Sequence, residues 1–297
     1  MLTNNLTENY KRNIFNNLIS SFNLFFKIIF MNIIMIFSRD YFCFIINFYC
    51  LLKNKKIKFF YSNENNCYFY HDSSYDTDIY FYHKKRAFSY VNGLIHRIDV
   101  LENAYFINNI EFRDGDCIID CGANIGEIFH VFASKRIPLH YTAFEPSPEE
   151  FRMIELNTQS EQQSSITCVL HNFGLWNQDC IIRFYQSGHD ADSSIIEPSE
   201  FDGTIEVQAK RLSTMLNGRV RLLKLEAEGA EPEVLEGIGE KIHLIDYISA
   251  DLGFERGKSN DSTLVPVVNF LLERGFVLEQ LSYPRITALF RNKSVGF

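Results

Sequence analysis

No two of the seven cysteines form a Cys-x-x-Cys pair; Cys117 and Cys121 sit four apart, and the rest are scattered. A zinc site needs closely spaced ligands, and a disulfide scaffold is a device of small secreted chains. Neither fits here. The cysteines read as small buried hydrophobes in a reducing cytoplasm. Also missing is a repeat of 20–50 residues, which excludes a solenoid. The pattern G-x-G-x-x-G is absent too, and this weakens any nicotinamide reading.

The chain has no apolar run long enough for a simple membrane span. Residues 24–37 form a run of 14 that contains Lys27 and Asn32. As a helix it would reach about 21 Å, short of the ~30 Å hydrocarbon core. A second run covers 41–52, and Ser38-Arg39-Asp40 separates the two. Fusing them would put two charges near mid-membrane, at ~2.5–3.5 kcal/mol each. The expectation is two apolar helices that lie in a membrane interface or pack on the body. A secretory signal is not expected, because no small-residue cleavage site follows.

The rest of the chain also lacks net positive charge. Residues 1–60 hold eight Lys/Arg against Glu8 and Asp40, a net +6, which leaves −14 of the total −8 to residues 61–297. An acidic body makes no general ligand for nucleic acid, since phosphate neutralisation supplies most of that affinity. The basic, apolar N-terminus points to membrane-surface contact through residues 13–58. The cluster Lys53–Lys58 would keep the body cytoplasmic.

What is present is alternation. Residues 61–100 are rich in Tyr, Phe and His and read as short strands and loops. They offer either a stacking face for a sugar ring or core packing. A helix is expected over 97–110. Strands are then expected at 116–120, 140–145, 166–171, 221–226 and 245–251. Helices fall between them, from 124 to about 134, from 148 to about 159, around 232–235 and over 263–274. Two inserted strands are expected at 180–186 and 204–210. Residues 275–282 and 286–291 close the chain as two consecutive strands. Alternating strands and helices imply a parallel, doubly wound sheet, and the closing pair implies an antiparallel edge hairpin. The division is therefore 1–60, an apolar basic helical segment; 61–110, an aromatic-rich accessory part; and 111–297, an α/β ligand-binding domain.

Two constellations carry chemistry. Asp120-Cys121-Gly122-Ala123-Asn124-Ile125-Gly126 follows the first core strand and opens a helix. Small residues allow a sharp turn, and a helix N-terminus offers free N–H groups to a carboxylate. Glu145 ends the next strand, where an acid can take both hydroxyls of a ribose. Asn172 lies just past the third strand, placed to hold an adenine. The second constellation is Lys224 through Glu231. Glu226 and Glu228 share the exit of the fourth core strand, so one can raise the other's pKa and make it a proton acceptor. Glu228 is the expected base and Glu226 the positioning acid. Ser249 through Glu255 could line the same cleft, as could His189-Asp190. No metal ligand cluster is evident, and metal independence is expected.

Taken together, Gly115-Asp116 through Asp120, Gly122 through Glu127, Ala143 through Pro148, and Lys224 through Gly237 resemble the FkbM-type methyltransferase family. The short lead Arg211 through Leu216 is similar as well. The likeness spans about residues 88 to 293. Two departures stand out. Glu226 occupies a position that is usually Asp, and residues 1–60 have no counterpart. The resemblance implies a class I, Rossmann-like methyltransferase fold with a seven-stranded, mostly parallel sheet and a terminal antiparallel hairpin; the apolar helical segment before it is read from the residues alone. It implies S-adenosyl-L-methionine as cofactor, held by Asp120, Gly122, Ala123, Asn124, Gly126, Glu145 and Asn172. It also implies O-methylation, commonly of a sugar or glycan hydroxyl. The competing readings are an NAD-dependent oxidoreductase or epimerase acting on a nucleotide sugar, and a non-catalytic membrane-associated scaffold.

Overall fold

The strands at the centre of the chain are continuous apolar runs, as parallel strands buried on both faces must be. The computed structural model describes residues 31–159, 165–187 and 193–295. Residues 24–30 of the first apolar run, and His189-Asp190, lie outside these. The core strands are β4 (Cys117–Cys121), β5 (Leu139–Phe144), β6 (Ile166–His171), β10 (Val220–Leu225) and β11 (Ile245–Asp251). With β12 (Phe276–Leu281) and β13 (Thr287–Asn292) they form one seven-stranded sheet in the order β12-β13-β11-β10-β4-β5-β6. The five core strands run parallel, and β13 is antiparallel to both β11 and β12. This is the doubly wound sheet with an edge hairpin that the pattern predicts.

Side-chain alternation sends successive residues to opposite faces. Ile118 and Leu222 enter one hydrophobic core, while Ile119 and Leu223 enter the other. On the first face lie α4 (Glu127–Lys135) and α5 (Pro148–Thr158), through Phe129, Phe132 and Ile154. On the second lie α6 (Glu231–Ile238) and α7 (Leu264–Glu273), through Val234, Leu235, Val267 and Leu271. Two expected helices begin or end elsewhere. Asn124 and Gly126 both have positive φ, which a right-handed helix cannot hold, so α4 starts at Glu127 rather than 124. The helix expected over 97–110 is α3 (Leu94–Ala104); Phe106 at φ +54° breaks it before Ile107.

Before this sheet, α1 (Arg39–Leu52) packs on a three-stranded antiparallel sheet of β1 (Ile57–Ser62), β2 (Cys67–Asp72) and β3 (Thr77–Phe81). The Asn47 amide fixes the pairing, accepting the Phe59 N–H at 2.7 Å and donating to its carbonyl at 2.8 Å. Four aromatic residues here are core. Phe59, Tyr70, Phe81 and Tyr90 are buried against one another, and no residue of β1 to β3 lines the ligand cavity. The sugar-stacking face considered for this segment is thus not offered to the site, because those rings are consumed in packing. Asn157 on α5 ties this small sheet to the large one. It accepts from the Tyr80 N–H at 2.7 Å and donates to the Ile125 carbonyl at 2.7 Å.

Helix α1 is apolar on both sides but buries only one. Phe42, Cys43, Ile46 and Cys50 are covered; Tyr41, Phe44, Phe48, Leu51 and Leu52 are exposed. Among the described residues, no helix is long and apolar enough to cross a membrane.

Candidate active site at the carboxyl ends of the core strands

Parallel strands leave a crevice beyond their carboxyl ends, and loops from several strands converge there. In this chain the crevice is a cavity of about 640 Å³, lined from both constellations. Gly122, Ala123 and Asn124 stand on one side of it with Glu145, and Lys224, Glu226 and Glu228 stand on another. Gly122 and Glu145 therefore face the same hollow. Glu255 reaches it from the far side of β11, as the run Ser249 through Glu255 suggested. An inserted sheet of β7 (Gly174–Leu175), β8 (Cys180–Gln186) and β9 (Gly203–Lys210) adds Phe184 and the following Ser193 and Ile195 to the wall.

The remaining named residues stand behind the wall. Asp120 is wholly buried at the end of β4, where Tyr141 donates to it and Lys224 Nζ lies 3.1 Å from Oδ1. Gly126 caps the loop at φ +82°. Asn172 turns its amide to the backbone, donating to the carbonyls of Glu145 at 2.9 Å and Pro146 at 3.3 Å. Its observed contacts fix the strand end that carries Glu145.

Glu145 accepts two backbone hydrogen bonds. Its Oε2 takes the Asn124 N–H and its Oε1 takes the Ser147 N–H, each at 2.8 Å. Each carboxylate oxygen has a second lone-pair site, so two acceptor positions remain, the set a vicinal diol requires. Burial, and secondarily Glu150, push its pKa up to about 7.

Lys224 organises the other side. Its ammonium lies 3.1 Å from Asp120 and 3.0 Å from Glu226, and donates to the Gly122 carbonyl at 2.7 Å. Burial would strip its proton; the two carboxylates reverse this and hold it charged. Glu226 is also paired with Arg285 at 2.7 Å. Burial alone would raise the pKa of Glu226, but Lys224 and Arg285 bring it down to about 2. An acid held this way is a fixed charge, unsuited to taking protons at neutral pH. Glu255 is the opposite case: burial, then Asp251, Glu226 and Glu231, push it up to about 8.

Sequence reasoning passed over Arg285, Tyr105, Arg86 and Arg97, all of which line the cavity. Arg285 lies in the turn between the last two strands, and the other three precede the first core strand. None sits in a strand-exit motif, where local pattern is informative. Among the described residues the cavity wall has seven glutamates against three arginines and one lysine. Such a surplus of acid favours a ligand that carries positive charge.

Comparison with known proteins gives a family match. The methyltransferase FkbM domain matches residues 120–278, more than half of the chain. A protein of the fungus Beauveria bassiana named Methyltransferase 1 is 28% identical over 189 residues, covering 55% of this chain and 74% of that one. Among solved structures, a putative rRNA-methylase from Clostridium thermocellum is similar at a TM-score of 0.41 and 12% identity, over 66% of this chain and 97% of that one. The magnesium protoporphyrin IX methyltransferase of Synechocystis, solved with bound S-adenosylhomocysteine, has a TM-score of 0.41 and 9% identity, over 66% and 81%.

Proposed function

Because this chain belongs to the FkbM methyltransferase family, an S-adenosylmethionine-dependent group, we propose that it methylates a hydroxyl of a sugar or glycan precursor. The observation that supports this most is the shared cavity. A diol-accepting carboxylate, Glu145, and a pair of strand-exit acids, Glu226 and Glu228, face one hollow of about 640 Å³. The cofactor, when bound, supplies a methyl group already activated on a sulfonium.

The protein's part is to position and to manage one proton. Glu145 would hold the ribose diol, with Asn124 and Ser147 fixing its carboxylate and Asn172 its backbone. Gly122, Ala123 and Asn124 form the adjoining wall, and Asp120 and Gly126 set the shape of that loop. Glu226 stays ionised between Lys224 and Arg285, a rigid negative charge beside the reaction space. Glu228, two residues on, takes the proton of the acceptor hydroxyl as the hydroxyl is alkylated. Holding the reactants in line accounts for much of the acceleration, since alignment converts a bimolecular encounter into a step within one complex.

A competing nicotinamide reading shares the sheet and the ribose acid, but the family match selects methyl transfer. The outer face of α1, with exposed Lys53, Lys55, Lys56 and Lys58 just after it, supports contact of the enzyme with an anionic membrane surface. Incubating the full chain with methyl-labelled cofactor and a panel of glycan precursors tests the substrate reading. Label should appear in an alkali-stable ether; label only in carboxyl esters or amines would overturn hydroxyl methylation.

A further inference from the structure

We propose that Arg86 and Arg97 form the seat for the carboxylate of the cofactor's amino-acid tail. This rests on the S-adenosylmethionine reading above. Sequence pattern places that carboxylate on the free amides of the glycine loop. The structure spends four of the five amides of residues 122–126 inside the protein. The N–H groups of Gly122 and Ala123 both donate to the Phe144 carbonyl, at 3.0 and 3.1 Å. That of Asn124 goes to Glu145, and that of Gly126 to the Ala123 carbonyl at 2.8 Å. Ile125, the fifth, is 1% exposed and absent from the cavity wall, so an anionic tail at this end of the cavity draws on other donors.

Two guanidiniums stand on the adjoining wall. Arg86 immediately precedes the short helix α2 (Ala87–Tyr90), and Arg97 lies in the first turn of α3. Between them is Glu127, which opens α4 directly after the glycine loop. Arg97 grips Glu127 with Nε at 2.8 Å and Nη2 at 2.6 Å, and Arg86 adds Nη1 at 2.9 Å. The Tyr90 hydroxyl donates to the same carboxylate at 2.7 Å. A guanidinium carries five N–H groups. Among the described residues, these three bonds are all that the two guanidiniums give to protein acceptors, so most of their donors remain for a ligand.

The charge balance points the same way. Lys224 is shared by Asp120 and Glu226, and Arg285 by Asp251 and Glu226. Arg86 and Arg97 share one carboxylate, which leaves a unit of positive charge. Among the cavity's described cations, only this pair is not outnumbered by acids. A planar, forked guanidinium is the group best suited to bind a carboxylate. Both arginines lie outside the matched family segment of 120–278, so residues before the core sheet complete the site.

The test uses calorimetric titration of the full chain with two ligands. S-adenosylhomocysteine carries the amino-acid tail; 5′-methylthioadenosine keeps the adenosine and thioether but lacks it. Wild type should favour S-adenosylhomocysteine, and Arg97→Gln should weaken that ligand about tenfold or more while leaving methylthioadenosine unchanged. Arg86→Gln, which costs Glu127 a single hydrogen bond, should show the same selective loss if Arg97→Gln fails to fold. Arg97→Lys should recover part of it.

Equal loss for both ligands, or none for either, would overturn the assignment. Retained S-adenosylhomocysteine affinity with a raised KM for an acidic acceptor would assign the seat to the acceptor's anion instead. A wild type that binds both ligands equally refutes this inference alone. A wild type that binds neither refutes the cofactor reading on which it stands.

Discussion

Gly122 lies so close to Glu226 that a Cβ on the glycine would stand 1.8 Å from the Glu226 carbonyl oxygen. The exits of β4 and β10 are thereby locked together, with Lys224 bonded to Gly122 on one side and to Glu226 on the other. Gly122 also has φ +69°, a conformation that side chains rarely adopt. Gly122→Ala must therefore push two core strands apart. It should cost about 3 kcal/mol or more, from overpacking and backbone strain together. Chemical denaturation would show this as a lower midpoint with little change in slope. An alanine variant with unchanged stability would mean that the two strand exits do not meet.

The sheet was legible because its strands are uniform apolar runs separated by amphipathic helices, a pattern that survives in a single sequence. Gly122, Glu145, Glu226 and Glu228 were legible for a related reason: strand exits are where such sheets place ligand groups, and the residues sit at those exits. The purpose of each was harder to read. The glycine serves an approach between two strands as much as an approach to a ligand. The loop amides are bonded to Phe144 and Glu145. Asn172 is a brace for Glu145's backbone. Arg86, Arg97, Tyr105 and Arg285 come to the cavity from distant parts of the chain through tertiary packing alone, which leaves no local spacing to detect. Phe106 breaks a helix at an unremarkable aromatic residue, where no glycine or proline announces it.

As the proposed diol acceptor, Glu145 should give cofactor binding a pH dependence. Its pKa is raised, by burial first and then by Glu150, to about 7. A raised acid favours the folded protein while protonated, so its contribution to ligand-free stability is lost as pH climbs from its ordinary range through about 7. Binding a diol has the opposite demand, because only the ionised carboxylate can accept from both hydroxyls. The rise in melting temperature caused by S-adenosylhomocysteine should be small at pH 5.5 and larger at pH 8, with affinity falling up to about tenfold per pH unit below the midpoint. Glu145→Gln should bind weakly and flatten the profile. An equal ligand-induced shift at both pH values would reject Glu145 as the diol acceptor.

Glu228 and Glu226 are adjacent in chemistry but differ in what their removal should do. Glu226 is tied to Lys224 and Arg285, so Glu226→Gln leaves two cations without their shared anion and should lower stability together with activity. Glu228 lies on the cavity wall at φ +49° in the turn before α6. Glu228→Gln should keep the S-adenosylhomocysteine affinity, yet lower kcat by about 10² or more, the usual worth of a general base. Single-turnover transfer of labelled methyl separates these outcomes. Full turnover in Glu228→Gln would remove it from proton transfer and bring Glu255, whose pKa is pushed up to about 8, forward as the base.

Helix α1 presents Phe44, Phe48, Leu51 and Leu52 outward, directly before four exposed lysines. Apolar side chains can enter the headgroup boundary of a bilayer, and each lysine adds about 1 kcal/mol of attraction to an anionic surface. The two contributions respond differently to conditions, which makes the proposal easy to dissect. Co-sedimentation with vesicles containing phosphatidylserine should exceed that with pure phosphatidylcholine, and added salt should weaken the electrostatic part by shortening the Debye length. Phe44→Ser with Leu51→Ser should reduce binding even in dilute salt without unfolding the protein, since neither side chain is in the core. Binding that is indifferent to lipid charge, or unaltered by the double substitution, would assign that face to something other than a membrane.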